Sequence, residues 1–281
     1  MCPRAPGRSP HRSKSFAFSK MPRLPLTSRR SILYNRRLIG TQSRMRILMV
    51  APEPFFEPSL IARSKTLREW RIAYSKKALR LGRELGASNV SITSGKALNG
   101  VPPEKAQKLL EEGLSRLLEE AERLKQRLSL EYEPALFIEK TEELKDLLGR
   151  MRSPYLGANL DLGHVDVMGE DPCHAIRVLK GSIFNIHLED IRAHKHYHRI
   201  PGDGDLDFRA IFRQLDAVGY TGPLTWELYT YDEAPDEACQ RTYKYLKAIC
   251  HRQPLARGTA RRSPAVSKFS ATRGAPTSRR L

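Results

Sequence analysis

The chain has 281 residues, 40% of them hydrophobic, and carries 49 Lys and Arg against 31 Asp and Glu, a formal net charge of +18. That apolar content can fill a core, which excludes a wholly disordered chain, and no apolar run approaches the roughly 20 residues a membrane-spanning helix needs. The positive charge sits at the ends: residues 1–44 hold 11 Lys and Arg, residues 252–281 hold 8, neither holds an acid, and 30 bases face 31 acids in between. A middle so nearly neutral is not a surface built to grip phosphates, so no specific nucleic-acid site is expected there, although the tails can bind nucleic acid weakly and in a salt-sensitive way.

Three regions follow: a basic extension over 1–44, one folded domain over 45–251, and a basic tail over 252–281. Both ends are expected to be disordered, because their Ser, Pro and Arg content cannot bury enough apolar surface to offset ordering entropy. Residues 1–44 also have the Arg- and Ser-rich, acid-free composition of an organelle transit peptide, but Pro3, Pro6, Pro10, Pro22 and Pro25 would break its amphipathic helix. Cys2, Cys173, Cys239 and Cys250 have neither metal spacing nor a disulfide framework. Reduced thiols in a cytoplasmic protein are the expectation, an organelle being the alternative if the extension targets.

Strands and helices alternate through the middle. Ile47–Val50 is a short strand closed by Pro52. Leu67, Trp70, Tyr74, Ala78, Leu81 and Leu85 then recur at three- and four-residue steps, predicting an amphipathic helix stopped by Gly86. A strand over Val90–Thr93 precedes a long helix after Pro102 and Pro103, with its apolar face on Leu110, Leu114, Leu117, Ala121, Leu124 and Leu128. Next come a strand through Leu130 and Glu131 and a helix opened by Thr141, with Glu142 and Glu143 in its first turn. Gly157–Asp161 is a strand, Asp171-Pro172 starts a helix that Gly181 ends, and Ile183–His187 is another strand. Asp207 caps a helix to Val218, Leu224–Glu227 is the sixth strand, and Pro235 opens a helix toward Ile249. Such alternation predicts an α/β fold with a parallel sheet under covering helices. No Gly-rich phosphate fingerprint follows any strand, and Ser94-Gly95-Lys96 is expected to be a plain loop, which favours a (β/α) barrel over a dinucleotide fold.

Four successive strands end in a residue able to hold a metal: Glu131, Asp161, His187 and Glu227. In a (β/α) barrel the C-terminal strand ends converge on one mouth. Two Glu, one Asp and one His around one point form a thiol-free set suited to Mn²⁺ or Zn²⁺, with Mg²⁺ and Co²⁺ as alternatives. Glu133 competes with Glu131, because residues two apart on a strand share a face. Six of the eight His fall between 164 and 198. His164, His196 and His198 could hold a second metal, or the latter two could belong to a solvated basic loop with His194, Lys195 and Arg199.

Four stretches in order carry a family resemblance: Gly157-Ala-Asn-Leu-Asp161-Leu-Gly-His164, Ile186-His187-Leu-Glu-Asp190, Pro201-Gly-Asp-Gly204-Asp205-Leu-Asp207-Phe208 and Gly219-Tyr-Thr-Gly-Pro-Leu-Thr-Trp-Glu227. Together, over about residues 66–249, they resemble the sugar-phosphate isomerase/epimerase superfamily, the xylose isomerase-like TIM barrels that also include apurinic-site endonucleases. The resemblance implies a divalent metal held by Glu131, Asp161, His187 and Glu227. It also implies that Glu131 and Glu227 shuttle a proton on a small carbohydrate through an enediolate. In the endonuclease-like branch, His164, His196 and His198 resemble the ligands of an additional zinc. That branch uses further His ligands on earlier strands, where Val90–Gly95 offers Thr93, Ser94 and Gly95 instead.

A family barrel has eight strands and the match supplies the last five, so an incomplete barrel of about six strands is expected, with the opening segment from Met45 resembling the first strand of Rossmann-type glycosyltransferases. Open sheet edges invite association, and a homo-oligomer is one way to cover them. Three readings follow: a metal-dependent isomerase or epimerase, a zinc-dependent phosphodiester hydrolase, and an inactive truncated barrel.

Overall fold

The structure is a computed structural model, and it describes residues 47–52, 56–96 and 101–251. The basic segments 1–44 and 252–281, with the disorder and targeting expected of them, lie outside the described residues. Six parallel strands form one sheet: β1 (Met49–Val50), β2 (Asn89–Thr93), β3 (Arg127–Glu131), β4 (Leu156–Asp161), β5 (Ile183–Leu188) and, after a two-stranded antiparallel hairpin of β6 (Asp190–Arg192) and β7 (Lys195–Arg199), β8 (Leu224–Trp226). The sheet order is β1-β2-β3-β4-β5-β8, a curled half-barrel with helices, as expected of an incomplete TIM barrel. The opening segment belongs to this sheet, since Met49 and Val50 pair parallel with Asn89 and Val90.

The helices are α1 (Lys65–Leu85), α2 (Pro103–Leu124), α3 (Thr141–Met151), the short α4 (Leu162–Val167), α5 (Pro172–Val178), α6 (Phe208–Val218) and α7 (Pro235–His251). Their ends follow local chemistry. Gly86 at φ 71° closes α1 and Gly219 at φ 70° closes α6, while Asp171 and Asp207 accept backbone N–H groups at the starts of α5 and α6. Among the described residues, no helix is long and apolar enough to cross a membrane.

Several details depart from the sequence reading. The buried face of α1 is Arg71, Ile72, Ser75, Ala78, Leu79 and Gly82, while Leu67 and Trp70 are exposed. Gly82 explains the rotation: a Cβ there would stand 2.6 Å from Val90 Cγ2, so glycine lets the helix lie close on β2. Leu128 belongs to β3 and not to α2, which ends at Leu124. As expected, α3 opens at Thr141 with Glu142 and Glu143 in its first turn; Lys140 is its N-cap, and Glu143 reaches back to the Lys140 N–H. The last turn of α5 is at Val178, three residues before Gly181. Lys195–Arg199 is a strand of a hairpin and not a loop.

The strands alternate in a way that positions the site. Val90, Ile92, Leu128, Leu130, Ala158, Leu160, Ile186 and Leu188 join the apolar core with the helices. The intervening residues are polar and buried: Asn89, Ser91 and Thr93 on β2, Ser129 and Glu131 on β3, Asn159 and Asp161 on β4, Asn185 and His187 on β5. Register aligns them, pairing Glu131 with Asn159, Asn159 with Asn185 and Asp161 with His187. Parallel strands covered on both faces usually read as continuous aliphatic runs; here one face is aliphatic and the other is a polar lining.

Candidate metal centre

Glu131 closes β3, Asp161 closes β4 and His187 stands near the end of β5, all buried; Glu227 follows β8 and is half-buried. Each is held by its element. Asp161 is also the N-cap of α4, its Oδ1 accepting the His164 N–H at 2.8 Å, which turns Oδ2 toward the mouth. Glu227 is fixed at its backbone, where its N–H donates to the Leu188 carbonyl at 3.3 Å.

The structure brings one ligand atom from each of Glu131, Asp161, His187 and Glu227 within 4.8 Å of one another. His187 Nδ1 lies 3.2 Å from Glu131 Oε1, 3.2 Å from Glu227 Oε2 and 3.5 Å from Asp161 Oδ2. No oxygen meets that nitrogen in hydrogen-bonding geometry, and Asp161 Oδ2 is likewise a buried oxygen without a hydrogen-bond partner. Burying such atoms without partners is costly. Ligand atoms that converge within ion-pair distance yet outside hydrogen-bonding geometry fit a cation at their common focus. The carboxylates make this point strongly negative: burial works against charge on His187, but they outweigh it and raise its pKa well above the ordinary value, so a cation binding there would compete with a proton on this ring. Burial opposes ionisation of Asp161 too, and His164 and His187 overcome it, holding that carboxyl well below the usual range. Glu133 lies outside this convergent set; burial and then the neighbouring carboxylates push it up to about 7, against the pull of His164.

His164, His196 and His198 also each offer a ring nitrogen within 4.8 Å of the others. His164 and His198 are buried and His196 is exposed, while His194 points away to Asp166. The tautomer of the neutral His198 ring follows from its partner: Nδ1 is 2.9 Å from the Glu227 carbonyl, which can only accept, so Nδ1 carries the proton and the buried, unpartnered Nε2 is the nitrogen left for a metal. Burial, then His164 and His198, lower the pKa of His196, favouring the neutral imidazole a metal requires.

Glu189 escaped the sequence reading. It is fully buried, its Oε1 accepts the Gly163 N–H, and it forms a third convergent group with Asp161, His198 and Glu227. Burial and the adjacent Asp161 raise its pKa well above the ordinary value. The period of two along the strand gives it away, since it stands two residues beyond His187. Tyr229 was missed as well; its ring is 4.5 Å from that of His198 at the mouth.

Residues 26–249 match the family model described as xylose isomerase-like TIM barrel. The chain belongs to this family. The match begins upstream of the residue 66 at which the resemblance was first legible. An inosose dehydratase of Clostridium perfringens is 29% identical over 164 residues, covering 51% of this chain and 55% of that protein. The chain thus spans about half the length of the curated relatives it matches. Among solved structures, a D-tagatose 3-epimerase-like protein superposes with a TM-score of 0.71 at 19% identity, covering 80% of this chain and 85% of that one. The IolI protein, described with a binding zinc atom, superposes with a TM-score of 0.63 at 19% identity, covering 74% and 77%. At such identities these structures show the xylose isomerase-like fold. Enzymes stand among the similar proteins, the inosose dehydratase and an L-ribulose 3-epimerase included.

Proposed function

We propose that this chain is a divalent-metal-dependent isomerase or epimerase acting on a sugar, a sugar phosphate or a related hydroxycarbonyl compound. Glu131, Asp161, His187 and Glu227 would hold the metal, and Glu131 and Glu227 would transfer the proton. The observation that carries the reading is the set of three carboxylate oxygens within 3.5 Å of a buried ring nitrogen that bonds to none of them. A divalent cation there, Mn²⁺ or Zn²⁺ by preference and Mg²⁺ or Co²⁺ as alternatives, would polarise the substrate carbonyl and stabilise developing oxyanion charge.

The strand order β3-β4-β5-β8 sets Glu131 and Glu227 on opposite sides of Asp161 and His187. Glu227, whose side chain is 36% exposed at the mouth, takes the proton from the carbon beside the carbonyl. The C–H electron pair becomes the C=C of an enediolate as the carbonyl pair moves onto oxygen. The second proton reaches the substrate through Glu131, which takes it up from solvent at that step and passes it to the neighbouring carbon or to the opposite face, and Glu227 gives its own proton back to solvent. Epimerisation and dehydration of hydroxycarbonyl compounds share that first proton removal, so relatives of both kinds are compatible with the reading. Metal analysis should find at least one divalent ion per chain. With a panel of ketoses as probes, Glu227→Gln should abolish exchange of the α-hydrogen with solvent deuterium; unchanged exchange rules the mechanism out.

The His164–His196–His198 group favours one second reading, a zinc-dependent phosphodiester hydrolase with a second ion on these imidazoles. It requires more than one zinc per chain and cleavage of abasic DNA, and His198→Ala should lower the zinc count. In either reading the catalytic domain is 45–251, and Cys173 and Cys239, both free thiols, suit a cytoplasmic setting; in the first reading the partner is a small-molecule carbohydrate. Strands β1 and β8 edge the sheet among the described residues, and a homo-oligomer is one way to cover such edges.

A further inference from the structure

A line of hydrogen bonds runs across the concave face beneath the metal centre. Thr225 Oγ1 donates to Asn185 Oδ1 at 3.2 Å, Asn185 Nδ2 donates to Asn159 Oδ1 at 2.8 Å, and Asn159 Nδ2 donates to Glu131 Oε2 at 2.7 Å. Ser91 Oγ approaches the same Glu131 oxygen at 3.4 Å. Asn159, Asn185 and Ser91 are fully inaccessible, and Glu131 is 2% exposed. The chain of donors crosses β8, β5, β4 and β3, four adjacent strands of the sheet.

Its direction is determined. An ionised carboxylate only accepts, so Asn159 must turn its amide nitrogen to Glu131 and its oxygen to β5; Asn185 must then present nitrogen to Asn159 and oxygen to Thr225, whose hydroxyl can donate. Reversing any one amide sets oxygen against oxygen or nitrogen against nitrogen in a dry interior, where each mismatch is expensive. An aliphatic layer would fill this face at no such risk, so the amides are retained for what they hold. What Asn159 Nδ2 holds is one oxygen of Glu131 at 2.7 Å, with the Nε2 edge of His187 further off at 3.4 Å. With Oε2 occupied by Asn159 and Ser91, only Oε1 is left to face His187 Nδ1.

We infer that Asn159, backed by Asn185 and Thr225, is a positioning residue for Glu131: the amide ladder fixes the rotamer of that glutamate and selects which of its oxygens faces the ion. The inference rests on the metal reading of the site. A long, flexible carboxylate so restrained loses no further freedom on binding, and outer partners of this kind are typically worth about ten- to a hundredfold in metal affinity.

The test is Co²⁺ titration of the full chain, followed by visible absorption, in a double-mutant cycle. Asn159→Asp, which puts a carboxylate where Glu131 needs a donor, should weaken Co²⁺ binding about ten- to a hundredfold. In a Glu131→Gln background, the amide introduced on β3 can donate to the carboxylate introduced on β4 and restore the bond with its polarity reversed, so the same substitution should there change affinity little. A residue that merely supports the fold would weaken binding equally in both backgrounds, and that outcome, or full affinity in Asn159→Asp alone, overturns the inference. Should Asn159→Asp not fold, Asn185→Ala applies the same cycle one bond further out, with a smaller loss expected and the same dependence on Glu131. Failure of the unsubstituted chain to bind Co²⁺ at all overturns the metal reading and the inference with it, and is seen before any variant is made.

Discussion

The Asp190 carboxylate and the Gly202 backbone nitrogen lie 2.8 Å apart, and the same oxygen takes the Gly204 N–H at 2.9 Å. The other oxygen accepts from Ile191 at 3.0 Å and Leu206 at 3.1 Å. One side chain thereby clasps the turn after β7 to the base of the hairpin that carries His196 and His198. Asp190→Ala leaves four donors short of an acceptor, and it should cost on the order of 3 kcal/mol of unfolding free energy in urea. It should also lower any metal bound at the imidazole group. Asp190→Asn should fall between, because its amide nitrogen points a donor at donors.

Gly163 is the point where Glu189 meets the turn after β4. A Cβ at this position would collide with Glu189 Oε1 and stand 3.0 Å from Ile191 Cγ1, both in the dry interior. Gly163→Ala should therefore displace Glu189 and with it the turn that presents Asp161. The expected cost is about 1–3 kcal/mol by overpacking, together with weaker metal binding, read from a melting curve and a Co²⁺ titration on the same sample.

Glu133 gives the metal-free chain a pH dependence. Burial holds its folded pKa up at about 7 against an ordinary 4.5. A carboxyl whose folded pKa is raised binds its proton more tightly in the native state, so native stability falls as pH rises from about 4.5 to 7. Glu133→Gln removes that contribution to the slope. Urea midpoints of the metal-free chain at pH 5 and pH 7 should differ less in the variant than in the parent.

Glu120 acts in the opposite sense. Hydrogen bonds from Arg123 and Arg80 outweigh the cost of burial and lower its pKa to about 2 from 4.5. Its contribution is fully present above pH 4.5 and is lost as pH falls toward 2. Glu120→Gln should lessen the acid sensitivity of unfolding in that window and leave the neutral-pH metal site untouched. Because both arginines are largely exposed, the effect should shrink in high salt.

The helices and barrel strands were legible where local chemistry and periodicity coincide. Asp207 and Gly219 bracket α6, and Asp171-Pro172 opens α5, because a capping carboxylate, a first-turn proline and a left-handed glycine act within a few residues. The face of α1 was not legible, since its contact with β2 is set by Gly82, which carries no apolar signal, and the stacked Trp70 and Tyr74 rings that dominate the periodicity lie outside the core. The hairpin was hidden for a similar reason: Lys195–Arg199 shows no apolar alternation, and its register depends on Asp190 and a turn that closes through backbone amides. At the site, Glu131, Asp161, His187 and Glu227 stood out as strand-end residues. Asn159, Asn185 and Glu189 share their faces two residues away, and only the pairing register turns those positions into partners.

The central claim is that Glu131, Asp161, His187 and Glu227 hold a single divalent cation. Anomalous diffraction from crystals grown with Co²⁺, collected on both sides of the cobalt absorption edge, tests it most directly. The account predicts a peak within coordination distance of all four side chains, lost in Asp161→Ala. Cobalt found only elsewhere, or nowhere in the chain, would contradict it.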